Sequence, residues 1–229
     1  MKSLVFDTGP LISITMNNLL WVMKDLKKKF NGRFLLAEGV RYELVDKPLK
    51  TKSFKFEALQ TLEQIREGVF EVVGEGKTKQ LTKDLMEVAN SCFTAHGRNV
   101  RIIQYGEMSA LALLLHEKSE ALVVDERTTR LLIEHPARLH KVLRRKLHAN
   151  VKMVKPRVQE FQHLVHGVKV IRSIELMTMA YELGFLDRYL AKIKNAREEL
   201  VDAFLWGLKI DGCAISKREI DRIKKIERK

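Results

Sequence analysis

Two periodicities alternate along this chain. Leu4-Val5-Phe6 is a short apolar run that stops at Asp7-Thr8-Gly9-Pro10, the pattern of a buried strand meeting a loop, with Pro10 placed for the first turn of a helix from Leu11 to about Lys29. Phe34-Leu35-Leu36-Ala37 predicts a second strand, followed by a helix carrying Val40, Glu43 and Leu44. Beyond Pro48 and a polar connection to Ser53, the spacing of Phe56, Leu59, Leu62 and Ile65 predicts a helix over 54–66. Val69 to Val73 predicts a strand closed by the turn Gly74-Glu75-Gly76.

The same alternation continues. Helices are expected over 81–95 and 106–116, then a buried strand Ala121-Leu122-Val123-Val124 that ends abruptly at Asp125-Glu126, then a helix from Thr128 to Ile133. Past Pro136 come a strand-like piece at 151–154, a helix over 158–164, a strand over 168–171, a helix from Ser173 to Leu183 capped by Gly184, and further helix from Leu186 to Leu208. Ile220, Ile223 and Ile226 place an amphipathic helix over Lys217 to Arg228. No internal repeat or low-complexity linker interrupts the series. Short apolar runs alternating with longer helices predict βαβ units around a mainly parallel sheet, an α/β fold. Right-handed crossovers would then set all strand C-termini on one edge. One domain spanning 1–229, with an insertion at 135–167 and a basic terminal stretch at 211–229, fits this pattern.

Composition agrees with a folded chain: 45% of residues are hydrophobic and 31% charged. The formal net charge of +13 points to a polyanionic partner, and its distribution is local. Residues 135–172 carry ten Lys or Arg against the single acid Glu160, and 217–229 carry seven bases against three acids. Those two stretches hold the whole excess. Cys92 and Cys213 belong to no metal or redox spacing and suit buried free thiols in a reducing compartment. Asp7 interrupts the N-terminal apolar run, and no uncharged stretch approaches the roughly 18 to 20 residues of a membrane span. The expectation is a soluble, cytoplasmic protein without membrane contact.

Candidate chemistry lies in the acids. Asp7 and Asp125 each follow a strong apolar run, where an open α/β sheet lines its ligand crevice. Glu43 and Glu107 lie on helices that would start at the same edge, Glu107 beside the small residues Ser109 and Ala110. Four converging carboxylates repel one another unless a cation neutralises them, and oxygen-only ligation selects Mg²⁺ or Mn²⁺. Phosphoryl transfer assisted by metal is the corresponding chemistry. Each acid alone also has an ordinary explanation. Asp7 or Asp125 can cap a helix, Glu43 can be a solvated helix residue, and Glu107 can complement a helix dipole.

Taken in order, LVFDTGPLI at 4–12, VRYEL at 40–44, GEMSALALLL at 106–115 and ALVVDERTTRLL at 121–132 resemble the PIN domain family of metal-dependent nucleases. VKVIRSIELMTMAYELGFL at 168–186 is similar to the family's last strand and following helix. The resemblance runs from about residue 3 to 134 and resumes at 168. It implies a three-layer α/β/α sandwich in which Asp7, Glu43, Glu107 and Asp125 are the acidic quartet that holds one or two Mg²⁺ or Mn²⁺ ions. Thr8 matches the hydroxyl residue beside the first acid, Ser173 the one after the last strand, and Glu126 is a candidate auxiliary acid or a plain surface residue. Glu107 stands where many members have Asp, and the insertion at 135–167 departs further from the family's pattern.

The implied activity is endonucleolytic hydrolysis of single-stranded RNA, in RNA processing or as a toxin held by an antitoxin-like partner. A catalytically inactive RNA-binding or scaffold protein and a DNA-directed nuclease are the alternatives. Because a carboxylate cluster repels phosphate, affinity must come from flanking cations. Lys141, Arg144, Arg145, Lys146, Lys152, Lys155 and Arg157 are the candidates, in a stretch where acids are nearly absent. Its five histidines match no metal motif, and Phe161 is its one aromatic. Phe185, Tyr189, Phe204 and Trp206 are expected in the core or in a homodimer interface, an assembly that the resemblance makes common.

Overall fold

The computed structural model describes residues 2–227. The chain runs β1 (Ser3–Phe6), α1 (Thr8–Met16), α2 (Val22–Phe30) and β2 (Arg33–Ala37). Next come α3 (Glu38–Arg41), a π-helical turn (Tyr42–Asp46), α4 (Lys47–Leu49), α5 (Lys55–Arg66) and β3 (Glu71–Val73). After α6 (Lys79–Ser91), β4 (Phe93–Ala95) and β5 (Arg98–Asn99) come α7 (Tyr105–Glu117), β6 (Ala121–Val123) and α8 (Arg127–Glu134). The remainder is α9 (Pro136–Leu147), β7 (Lys152–Met153), α10 (Lys155–Leu164), β8 (Val170–Ile171), α11 (Ser173–Glu182), α12 (Ala196–Ile210) and α13 (Lys217–Glu227). The terminal helix was expected to reach Arg228, and that residue and Lys229 lie outside the described residues.

Five parallel strands form the main sheet in the order β3-β2-β1-β6-β8. Val5 of β1 stands between Leu35 of β2 and Leu122 of β6. All three side chains are fully buried, as expected of strands covered on both faces. From β1 the chain adds β2 and then β3 on one side and returns to add β6 and β8 on the other, so the winding direction switches between β1 and β6. Helix α7 lies across β1, β2 and β6, with α6 against α7 and α10 against α6. Helix α1 packs against α5, α11 and α12. Phe6, Phe34 and Phe70 meet at ring distances of 4.9 and 5.3 Å in the core. Among the described residues no helix is long and apolar enough to cross a membrane.

Several elements differ from the sequence expectation. The helix expected over 81–95 stops at Ser91, and Phe93–Ala95 is a strand. It pairs with β5 across His96-Gly97, both at positive φ (51° and 74°), the backbone of a tight hairpin turn that follows strand twist. On its other side β4 takes β7 from the insertion, Phe93 opposite Met153. The insertion is thus fastened to the body. Leu139, Leu143, Val158 and Phe161 enter the core, and His140 Nε2 donates to Val151 O at 2.6 Å while its ring stacks on Phe93. Gln162 also donates to the carbonyls of Leu132 and Ile133.

The helix expected over 11–29 breaks at Asn18, which has φ 58°. Its neighbour Asn17 donates to Ser13 O and to Asp211 Oδ2, each at 2.8 Å, a local competitor of helix continuation. The helix expected over 186–208 is likewise interrupted, first by a 3₁₀ turn at Asp187–Tyr189 and then by Asn195 at φ 60°. In α5 the buried positions are Ala58 and Thr61, whereas Phe56 is 68% and Leu59 50% exposed. Small side chains let α5 approach the π-helical turn and α1 closely, and the larger stripe faces outward. Of the C-terminal aromatics Phe204 is buried, while Tyr189 is exposed and accepts a hydrogen bond from Trp21 Nε1 at 3.1 Å.

Candidate active site

In an open parallel sheet the ligand crevice lies beyond the strand C-termini where the winding direction switches. Asp7 follows β1 directly and Asp125 lies two residues beyond β6, so both acids stand at that point. Asp7 is 4% and Asp125 1% exposed. A Cβ built on Gly9 would lie 3.6 Å from Asp125 Cβ and 3.8 Å from Asp7 Oδ2, so the two carboxylates flank one residue. Asp7 precedes α1 in extended conformation, the place and geometry of a helix cap. Yet its side chain makes no capping hydrogen bond, and Oδ1 is buried without a partner. Burial pushes its pKa up from 3.8 to about 7, with the charges of Glu43 and Asp125 adding to the effect and the N–H groups of Thr8 and Gly9 offsetting part of it.

Glu43 arrives from the π-helical turn Tyr42–Asp46, the kind of widened turn that recurs at functional sites because it redirects a side chain. Its Oε2 accepts a 2.7 Å hydrogen bond from Thr8 Oγ1. The same oxygen occupies the space of a missing side chain at Gly106, where a Cβ would lie 2.5 Å away. Only glycine fits at 106 with Glu43 in this position. Glu107, the next residue, folds back so that Oε2 accepts from Gln104 N at 3.0 Å, which satisfies one free N–H at the start of α7. Burial raises its pKa from 4.5 to about 8, and Asp7 and Glu126 add to the rise.

Asp125 is held from later in the chain. Oδ1 accepts from Ser173 N at 2.8 Å and Oδ2 from Ser173 Oγ at 2.6 Å. Its carbonyl accepts from Ala214 N at 3.3 Å. Arg172 steadies both partners, pairing with Glu175 and with Glu219 (3.2 Å) and donating to Ala214 O at 3.2 Å. Glu126 caps α8 through a 2.9 Å hydrogen bond from Thr129 N. That role accounts for its conformation, and its charge still reaches Glu107.

The structure therefore brings Asp7, Thr8, Glu43, Glu107, Asp125 and Ser173 to one crevice, with Glu126 at its rim. The donor set is all oxygen, the chemistry of a hard divalent cation, and Asp7 Oδ1 is an open donor inside it. The cluster is not a closed ligand cage. Among the described residues no three His, Cys, Asp or Glu groups are arranged to hold a metal, and both Asp125 oxygens are occupied by Ser173.

An open groove of about 920 Å³ runs between α8, α9 and the β7–α10 segment, lined by Arg127, Arg138, Lys141 and Arg145. A second depression of about 470 Å³ shares Lys141 and Arg145 and adds Arg144 and His148. The basic residues singled out from sequence thus divide. Lys141, Arg144 and Arg145 line these depressions, Lys146 lines neither, and Lys152 and Lys155 are exposed on β7 and at the start of α10. Arg157 is committed to Glu160 at 2.9 Å and Glu87 at 3.9 Å. Sequence reasoning missed Arg127 and Arg138. The signal was present, since 138, 141 and 145 are spaced to share a helix face.

No family model matches the chain, and neither does any curated protein or solved structure.

Proposed function

We propose that the protein is a divalent-metal-dependent nuclease that hydrolyses phosphodiester bonds, an endoribonuclease on a PIN-like α/β/α sandwich. The observation that carries this reading is the buried Asp7 carboxylate, whose Oδ1 has no hydrogen-bond partner among the described residues, with Glu43, Glu107 and Asp125 around it at the switch point of the sheet. A buried carboxylate oxygen without a donor is costly, and the charges of Glu43 and Asp125 raise the cost. Such an arrangement is explained by a cation that the acids serve.

Asp7, with Oδ1 open, is the principal ligand in this reading, joined by Glu43, Glu107 and Asp125 directly or through water. Mg²⁺ or Mn²⁺, when bound, supplies Lewis-acid activation of water and neutralises charge at the phosphate. The chain's own contacts fix the acids beforehand: Thr8 holds Glu43, Gln104 N holds Glu107 and Ser173 holds Asp125. At neutral pH without a cation, Asp7 and Glu107 retain protons for part of the time, and cation binding releases them. A second reading, an inactive RNA-binding protein of the same fold, draws support from the occupied Asp125 oxygens and the open ligand set.

The test is incubation of the purified protein with end-labelled single-stranded RNA in Mn²⁺ or EDTA, beside Asp7→Asn and Asp125→Asn, with Mn²⁺ affinity measured by calorimetry. Cleavage that requires Mn²⁺ and is lost in both variants is expected. Cleavage persisting in EDTA, or retained by both variants, overturns the metal mechanism. Mn²⁺ binding without cleavage of RNA or DNA favours the inactive reading.

A further inference from the structure

An acidic crevice repels the phosphates it would act on, so the cations that hold a substrate must lie beside it. The structure narrows them to one helix face. Leu139 and Leu143 of α9 point into the core, leaving Arg138, Lys141 and Arg145 on the exposed side. At about 1.5 Å rise per residue they extend over roughly 10 Å. Arg127 opens α8 two residues beyond Asp125 and lines the same groove, so the chain itself joins the groove to the acidic segment.

Two further observations distinguish this row from the rest of the basic surface. Among the described residues, none of Arg127, Arg138, Lys141 and Arg145 has an acidic side chain within ion-pair distance. Arg157, Arg172 and Lys224 are by contrast paired with Glu160, Glu175 and Asp202. Glu134 is the acid on the groove wall, and it faces Arg130 at 3.9 Å. The apolar lining consists of Val142, Met153 and Val158 with Pro136 and Ala137; no Phe, Tyr or Trp is among the lining residues, and His135 supplies the one ring. Phe161 is fully buried. Bases therefore find a single imidazole and no run of rings to stack on, and most of the contacts on offer are to phosphates.

We propose that this groove binds the backbone of one polynucleotide strand, independently of base sequence, and leads it past Arg127 to Asp7 and Asp125. Arg138, Lys141 and Arg145 share one face of α9, a row suited to one backbone, and Arg127 of α8 lines the same groove. The proposal deepens the nuclease reading and rests on it only for the strand's destination at the acids; binding itself does not require cleavage.

The experiment is fluorescence anisotropy of labelled single-stranded RNA and DNA oligomers with the full chain, in EDTA so that nothing is cut, from about 50 to 200 mM salt. Four phosphate contacts to a single strand give a slope of log K against log salt of about −3, or roughly a 50-fold loss of affinity over that range. The Arg138→Gln/Lys141→Gln variant should retain half the contacts and lose about 7-fold over the same range. A control with equal charge loss, Lys28→Gln/Lys29→Gln on α2, should keep the original slope, and circular dichroism checks that each variant is folded. An unchanged slope in the groove variant, or the same drop in the control, overturns the proposal. Tighter binding of duplex than of single strands refutes the single-backbone geometry, and a tenfold spread of affinity among oligomers of different sequence refutes sequence-independent contact. Asp7→Asn should bind at least as tightly as the unaltered protein. If binding behaves as described while Mn²⁺ elicits no cleavage, the nuclease reading fails and the groove stands.

Discussion

Replacing Asp7 by Asn in the metal-free protein should raise its stability at neutral and alkaline pH, the reverse of what most substitutions at a buried polar position do. The unfolded chain releases the Asp7 proton near pH 3.8, and the folded protein near pH 7. Between those values the folded state binds the proton that the unfolded state has lost. Stability therefore falls as pH rises through that window, and the loss is complete above pH 7. At about 1.4 kcal/mol per pH unit the interval corresponds to roughly 4 kcal/mol. Glu107, raised from 4.5 to about 8, acts in the same direction, and because the two carboxylates sense each other their effects do not simply add. Asn cannot ionise, but the end of its amide at the Oδ1 position is left without a partner, at a cost of about 1–3 kcal/mol. The net gain at about pH 8 is then on the order of 1–3 kcal/mol, changing to a loss of about the same size near pH 4, where Asp7 carries almost no penalty. Urea unfolding in EDTA at a series of pH values measures both. Mn²⁺ should restore the unaltered protein at pH 8 and leave Asp7→Asn unmoved. Stability of the unaltered protein that is flat between pH 4 and 8, or an Asp7→Asn protein with the same pH slope, refutes the assignment of Asp7 as a penalised buried charge.

Gly106→Ala should weaken Mn²⁺ binding about tenfold or more, because the new Cβ displaces Glu43 Oε2 and breaks its bond from Thr8. The melting temperature should hold, since alanine suits a helix better than glycine, and an unchanged Mn²⁺ affinity would count against Glu43 as part of the site. Ser173→Ala should cost about 1–3 kcal/mol in urea unfolding, the penalty for leaving buried Asp125 Oδ2 without its hydroxyl donor; equal stability would show that the contact contributes nothing.

Much of the sheet was legible because β1, β2 and β6 are buried on both faces and so read as uninterrupted apolar runs, each closed by polar residues. The acids after β1 and β6 could be placed for the same reason. Other features depend on partners far away in sequence. Phe93–Ala95 is only three residues long and becomes a strand because Lys152 and Met153 arrive beside it, while its turn uses His96-Gly97 in place of a strong hairpin signal. The stripe Phe56-Leu59-Leu62 has correct helical spacing, yet the neighbours of α5 decide which face turns inward. At the site, the four acids could be read from position, but Glu43's dependence on a missing Cβ at Gly106 and Asp125's dependence on Ser173 are contacts between distant segments. The charge count marked a basic stretch and could not separate Arg157, paired with Glu160, from Arg138, which has no acid within ion-pair distance among the described residues.

The hold on Asp125 has a consequence for biosynthesis. Asp7, Glu43, Glu107 and Asp125 leave the ribosome well before Ser173, and Ala214 follows later still. A nascent chain that has made all four acids lacks the hydroxyl and N–H groups that orient the last of them. The acidic crevice is thus assembled late, by the segments synthesised after it, and a growing polypeptide does not carry the finished arrangement of acids while it is being translated.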